Sequence, residues 1–202
     1  MLLAACTAVT VAGCSIGRPM MEPTRYLIDL PSESAKQAAR FEETLRIGNV
    51  RVAAPFGRKT LVYRLDDVRY ISDPYNAFAA DPREILGSRI AEWLQHAGPF
   101  NAVAPLGSAR PGDYILEVIA SELYGDFREG RPAAAVLAID FALIDQRGAR
   151  PTVTYQRSME QRVSLAEASA DELVRGYGIA LTNALSQLVT DLDKQPAKNI
   201  ER

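Results

Sequence analysis

The stretch from Tyr114 to Val163 constrains the fold most. Three long apolar-rich runs, Tyr114 to Phe127, Ala133 to Ile144 and Pro151 to Val163, are joined by short turns at Glu129-Gly130-Arg131 and Asp145-Gln146-Arg147-Gly148. Turns this short join antiparallel neighbours, because a parallel return needs a crossover of about a dozen residues or more. A meander of three strands follows. In its middle run Ala135, Leu137, Ile139, Phe141 and Leu143 share one face and Asp140 lies on the other, so that face must cover a core.

Two helices can supply the cover. Asp81-Pro82-Arg83-Glu84 offers a cap residue, a proline at the first helical position and a glutamate at N3, which together favour a helix start. Leu86, Ile90, Trp93, Leu94 and Ala97 then recur at helical spacing until Gly98-Pro99 stops the run. Ser169-Ala170-Asp171-Glu172 reads as a capping box, followed by Leu173, Tyr177, Leu181, Leu185, Leu188 and Leu192 along one face of a helix of about six turns. Gly176 and Gly178 fall inside this pattern and predict a close helix-on-sheet contact.

Further strands are expected at Tyr26 to Leu30, Thr44 to Ala53, Leu61 to Leu65, Val68 to Ile71 and Phe100 to Ala104. The parity change at Gly48-Asn49 predicts a bulge, and Asp66-Asp67 reads as a turn. Ser32 to Arg40 is either a linker or one short helix. The fold class is α+β, an antiparallel or mixed sheet with two amphipathic helices packed on it.

The N-terminus is of a different kind. Leu2 to Gly13 is apolar and about a dozen residues long, against the roughly twenty needed to span a bilayer, and so fits the h-region of an export signal. Val11-Ala12-Gly13-Cys14 resembles the bacterial lipobox, in which small residues precede a cysteine whose thiolate accepts a diacylglyceryl group. Leu3-Ala4-Ala5-Cys6 also fits that pattern but leaves no h-region before it, and no charged residue precedes Arg18. The chain is therefore divided into a lipoprotein signal peptide at 1–13, a lipidated tether at 14–25, one α+β domain at 26–193 and a polar tail at 194–202. Cleavage before Cys14 leaves a single, alkylated cysteine and no disulfide.

Composition removes several functions. Lys and Arg total 23 against 25 Asp and Glu, so no general positive field awaits a nucleic acid. His96 is the single histidine and the cysteines are Cys6 and Cys14, which disfavours the common zinc sites. His96 falls in the last turn of its helix, where a solvated or capping role is natural. Asp66, Asp67 and Asp73 fit turn and strand-end roles better than a metal cluster. No catalytic motif is visible, and the chain reads as a non-enzyme. The most informative segment is Arg69 to Phe78, an aromatic-rich connection between a strand and a helix. Tyr70, Tyr75 and Phe78 there form either a contact patch for another protein or a staple covering the sheet edge and the helix entry.

The joint order of these elements resembles the ABC-type transport auxiliary lipoproteins, the PqiC-like family of Gram-negative envelopes. The resemblance rests on Tyr26-Leu27-Ile28-Asp29-Leu30-Pro31 after the lipobox, then Leu61-Val62-Tyr63-Arg64, Asp67-Val68-Arg69-Tyr70, Phe78-Ala79, and Asp81-Pro82 leading to Trp93-Leu94. Many members carry tryptophan where this chain has Phe78. The resemblance implies a non-enzymatic subunit, facing the periplasm and anchored in the outer membrane through Cys14. Its expected partners are an MCE-domain protein and the associated inner-membrane permease and ATPase, in systems that move phospholipid or other lipid between the membranes and support membrane integrity. No cofactor is implied beyond the diacylglycerol and acyl chain on Cys14, and a homo-oligomer would suit docking to a ring. Two other readings stay open: a lipoprotein that carries lipid or assists envelope assembly without such a partner, and an envelope hydrolase.

Overall fold

The computed structural model describes residues 22–31 and 39–194. The segments expected to be the signal peptide and most of the tether with Cys14, residues Ser32 to Ala38, and the expected polar tail beyond Lys194 lie outside the described residues. Eight strands form one mixed sheet. They are β1 (Thr24–Tyr26), β2 (Phe41–Val52), β3 (Thr60–Arg64), β4 (Tyr70–Phe78), β5 (Phe100–Ala104), β6 (Tyr114–Asp126), β7 (Ala134–Asp145) and β8 (Thr152–Ser164). Two helices, α1 (Pro82–Ala97) and α2 (Ala170–Lys194), complete the α+β fold.

The sheet forks at β6. Along one edge β6 pairs antiparallel with β7, and β7 with β8, as the short turns require. The other edge is shared: Tyr114 to Ala120 run parallel to β2, whereas Gly125 and Asp126 pair parallel with Tyr63 and Arg64 of β3. One branch continues from β2 to β5, the other from β3 through β4 to β1. The register of β6 against β7 shifts between Ala120 and Glu122, so the bulge coincides with the change of partner. The bulge anticipated at Gly48-Asn49 is present, with Ile47 opposite Leu116 and Val50 opposite Val118.

Both helices lie on one face. The caps form as the sequence demands: Asp81 accepts a hydrogen bond from the Arg83 N–H at 2.9 Å, and Ser169 Oγ accepts one from the Glu172 N–H at 3.3 Å. Leu173, Tyr177, Leu181, Leu185, Leu188 and Leu192 of α2 are buried against the inward face of β7, where Ala135, Leu137, Ile139, Phe141 and Leu143 are also buried. Glycines at 176 and 178 permit this approach, since a Cβ on Gly176 would stand 2.6 Å from the Ala135 Cβ and one on Gly178 only 2.1 Å from the Asp29 carbonyl oxygen. Trp93 is partly buried at the rim of the same core.

Two expectations need correction. The segment from Tyr70 to Phe78 is not a connection but strand β4, paired antiparallel to β3 and parallel to β1. Its alternation was unreadable because the register jumps from Thr60 opposite Ala77 to Val62 opposite Ser72, setting four residues, Asp73 to Asn76, against Leu61 alone. Strand pairing near the N-terminus ends at Tyr26, earlier than expected, and Leu27 to Pro31 continue as an irregular strap. Ile28 is nevertheless fully buried, and its carbonyl accepts a hydrogen bond from Arg89 Nε of α1 at 2.9 Å.

Candidate functional site

The sequence singled out Tyr70, Tyr75 and Phe78, and β4 places them in three different environments. Its geometry is set by two aspartates. Asp66 closes the β3–β4 turn by accepting from the N–H groups of Val68 and Arg69 at 3.0 and 2.7 Å. Those backbone hydrogen bonds hold its carboxyl below the ordinary aspartate value. Asp73 organises the excess residues: Oδ1 accepts from the N–H groups of Tyr75 and Asn76, at 2.7 and 3.1 Å, and Oδ2 from the Tyr63 hydroxyl at 2.6 Å and Asn76 Nδ2 at 2.7 Å. Burial pushes the Asp73 carboxyl up, but the hydrogen bonds from Tyr63, Asn76 and the backbone outweigh it and the net shift is downward. Burial and the same hydrogen bond push the Tyr63 hydroxyl up. Pro74 therefore sits in a braced bulge, which is where a strand tolerates proline.

Tyr70 is 40% exposed and belongs to an aromatic cluster on the face that carries no helix. Its ring meets Tyr124 edge-on at 5.3 Å and Phe56 at 6.2 Å, with the Arg64 guanidinium 5.5 Å from its centroid. One side of the ring is thus fixed and the other is open. Tyr75, on the bulge, is 57% exposed. Phe78 is different. It is 2% exposed, its ring centroid lies 6.2 Å from that of Tyr177 in α2, and it pairs with Tyr26 across β1. The staple alternative is the one realised for Phe78, and its proposed contact with a partner is withdrawn. The physical reason is parity: Asp73 to Asn76 stand where β3 has only Leu61, a net excess of three residues, and an odd excess brings Phe78 out on the helix-covered face, opposite to Tyr70.

Sequence reasoning missed three neighbours. Val68 at the turn tip, Ile71 on β4 and Leu27 just past β1 join Tyr70 and Tyr75, making five of the seven large apolar residues exposed among the described residues. The missed signal was the combination of Val68 with Asp66-Asp67, since an apolar residue at a capped turn tip has nowhere to be buried. The five straddle both faces of one branch of the sheet. That branch is also where the tether joins: Thr24 pairs with Asn76, the Tyr26 hydroxyl donates to Asn76 Oδ1 at 3.1 Å, and the Tyr26 carbonyl accepts from the Ala79 N–H at 2.7 Å.

The aspartates considered for a metal are committed elsewhere, Asp66 to the turn, Asp73 to the bulge, and Asp67 to an ion pair with Arg128 at 2.9 Å. Among the described residues no group of three or more His, Cys, Asp or Glu stands ready to hold a metal ion. His96 is exposed at the end of α1, with Nδ1 2.8 Å from the Glu92 carbonyl oxygen. No described helix is long and apolar enough to cross a membrane.

The sequence matches the family model of the ABC-type transport auxiliary lipoprotein component over residues 26–191, and the chain belongs to that family. The fold is similar to that of protein XCC0632 from Xanthomonas campestris, of the DUF330 family model, at 16% identity and a TM-score of 0.66, covering 87% of this chain and 98% of that one. A second solved structure, of an uncharacterized protein, is similar at 16% identity and a TM-score of 0.67, covering 85% of this chain and 99% of the other. No curated protein matches the sequence.

Proposed function

We propose that this protein is anchored through Cys14 to the outer membrane, facing the periplasm, and acts there as a non-enzymatic subunit that docks an MCE-domain protein of a lipid-transporting ABC-type system. The observation that carries this reading is the coincidence on one sheet branch of the tether's point of entry and the exposed apolar residues of β4. From Cys14 to Thr24 the chain can reach at most roughly 35 Å, so the anchor keeps the Tyr70 and Tyr75 surface close to the membrane. Exposed aromatics on a braced strand suit an interface, because they bury large area with little loss of side-chain freedom. The alternative of a lipid carrier would need room between helices and sheet, and that layer is filled by Phe78, Phe141, Tyr177 and the leucines of α2, all buried.

Two experiments test this. Capture of the MCE-domain protein from solubilised membranes should succeed with the intact lipoprotein and weaken with Tyr70→Ala/Tyr75→Ala, by on the order of 2 kcal/mol if these residues are hot spots. Cys14→Ala should release the protein from the outer-membrane fraction, since the acyl chains are its proposed hold on the bilayer. Undiminished capture by the double variant would refute docking through β4, and retention in the inner membrane would refute the location.

A further inference from the structure

Where β6, β7 and β8 end together, on the face without helices, the register places Asp126, Ala134 and Ser164 in one row across the three strands. The next row is Tyr124, Val136 and Arg162. Ala134, with only a methyl group between two larger neighbours, leaves a depression of about 550 Å³ lined by Arg128, Arg131, Pro132, Ala134, Arg162 and Ser164. Its lining holds three guanidinium groups and no carboxylate.

The arginines are not equivalent. The Asp126 side chain is fully buried, and its two oxygens accept from Arg128 Nε and Nη2 at 2.8 and 2.7 Å and from Arg162 Nη2 at 2.6 Å. Hydrogen bonds from Arg128 hold the Asp126 carboxyl well below the usual range, against the opposing effect of burial and with Arg162 assisting. Arg128 also donates to Asp67 and is 12% exposed, so it is a fixed part of the wall. Arg162 gives Asp126 one nitrogen and is 41% exposed. Arg131 stands exposed on the turn after β6, and among the described residues it makes no ion pair. The buried carboxylate thus neutralises the wall from behind, while Arg131 and part of Arg162 face the opening with the Ser164 hydroxyl.

We propose that this depression is a binding site for a phosphate-bearing anion. Guanidinium groups bind phosphate oxygens in paired, charge-assisted hydrogen bonds. Donors on a turn, on a strand and on a hydroxyl suit a tetrahedral anion better than a planar one. Arg162 is preset by Asp126, which lowers the ordering needed on binding. The volume exceeds that of a bare phosphate, so a phosphodiester headgroup also fits. The site adjoins the β3–β4 turn through the Arg128–Asp67 pair, but its existence does not depend on the docking reading.

The test uses the full chain carrying Cys14→Ala, so that no acyl chain contributes to lipid binding. Calorimetric titration is made with inorganic phosphate and, separately, with dihexanoyl phosphatidylglycerol below its micellar concentration. Arg131→Gln, which leaves the Asp126 pairs intact, should weaken the ligand that binds by about tenfold, the loss of one charge-assisted contact. Arg131→Gln/Arg162→Gln should abolish binding. Arg150→Gln, at the turn on the opposite end of the sheet, should change nothing. Binding of the lipid but not of phosphate supports the proposal and identifies a headgroup; binding of phosphate with equal or greater affinity supports it and identifies free phosphate. No binding of either probe, an unchanged affinity in folded Arg131→Gln, or an equal loss in Arg150→Gln overturns it.

Discussion

Replacing Phe78 by alanine should destabilise the protein strongly, while replacing Tyr75, three residues away on the same strand, should not. Phe78 is 2% exposed, tilted against the Tyr177 ring and flanked by Tyr26 of β1. Removing such a ring loses its transfer free energy and leaves a cavity that a sheet and a 25-residue helix cannot collapse into, at a typical cost of about 3 to 5 kcal/mol. For a chain of this size about 1 kcal/mol shifts the melting temperature by roughly 2 to 4 °C, so the drop should be about 6 to 20 °C. Tyr75 is 57% exposed, and its loss should stay within about 0.5 kcal/mol. Thermal melts followed by circular dichroism on both single variants, with urea titration to confirm an unchanged m-value, measure the contrast. A Phe78→Ala melt within about 2 °C of wild type would place that ring outside the core and refute the parity argument made for β4.

Leu185→Ala, at a fully buried position of α2, should cost about 2 to 5 kcal/mol in urea unfolding, whereas His96→Ala at an exposed helix end should change stability by less than about 0.5 kcal/mol. Gly178→Ala would gain about 1 kcal/mol of helix propensity in isolation. Here its Cβ would meet the Asp29 carbonyl at 2.1 Å, so the net effect should be a lower melting temperature together with faster proteolysis of the strap at Leu27 to Pro31. Acid should unfold the protein in a way that depends on Asp126. The carboxyls of Asp66, Asp73, Asp126 and Asp145 are all depressed in the folded state, so the unfolded chain binds protons first. Their stabilisation is complete above about pH 4 to 5 and is lost as pH falls below about 4. Asp126→Asn should lower stability at pH 7 and flatten that acid slope; an unchanged slope in pH-jump unfolding would show that the Arg128 and Arg162 pairs contribute little.

The elements with a local signature were written in the sequence itself. The alternation of Ala135 to Leu143, the short turns on either side of β7, the caps at Asp81 and Ser169 and the leucine stripe of α2 each depend on residues a few positions apart, and period and capping chemistry decide them before any tertiary contact forms. The Gly48-Asn49 bulge was legible for the same reason. What only the tertiary structure decided was non-local. The parallel pairings of β6 with both β2 and β3, and of β1 with β4, join segments with no turn between them, so no local pattern marks the fork. The role of β4 was hidden because Asp73 gathers four residues into a bulge whose hydrogen bonds come partly from Tyr63 on the neighbouring strand. With the parity broken, the sequence could nominate Tyr70, Tyr75 and Phe78 together but could not say that the first two face outward and the third lies beneath α2. The burial of Asp126 between Arg128 and Arg162 was equally out of reach: Asp126 and Arg128 lie two positions apart along the chain, but Arg162 arrives from β8, and only the register of three strands brings it there.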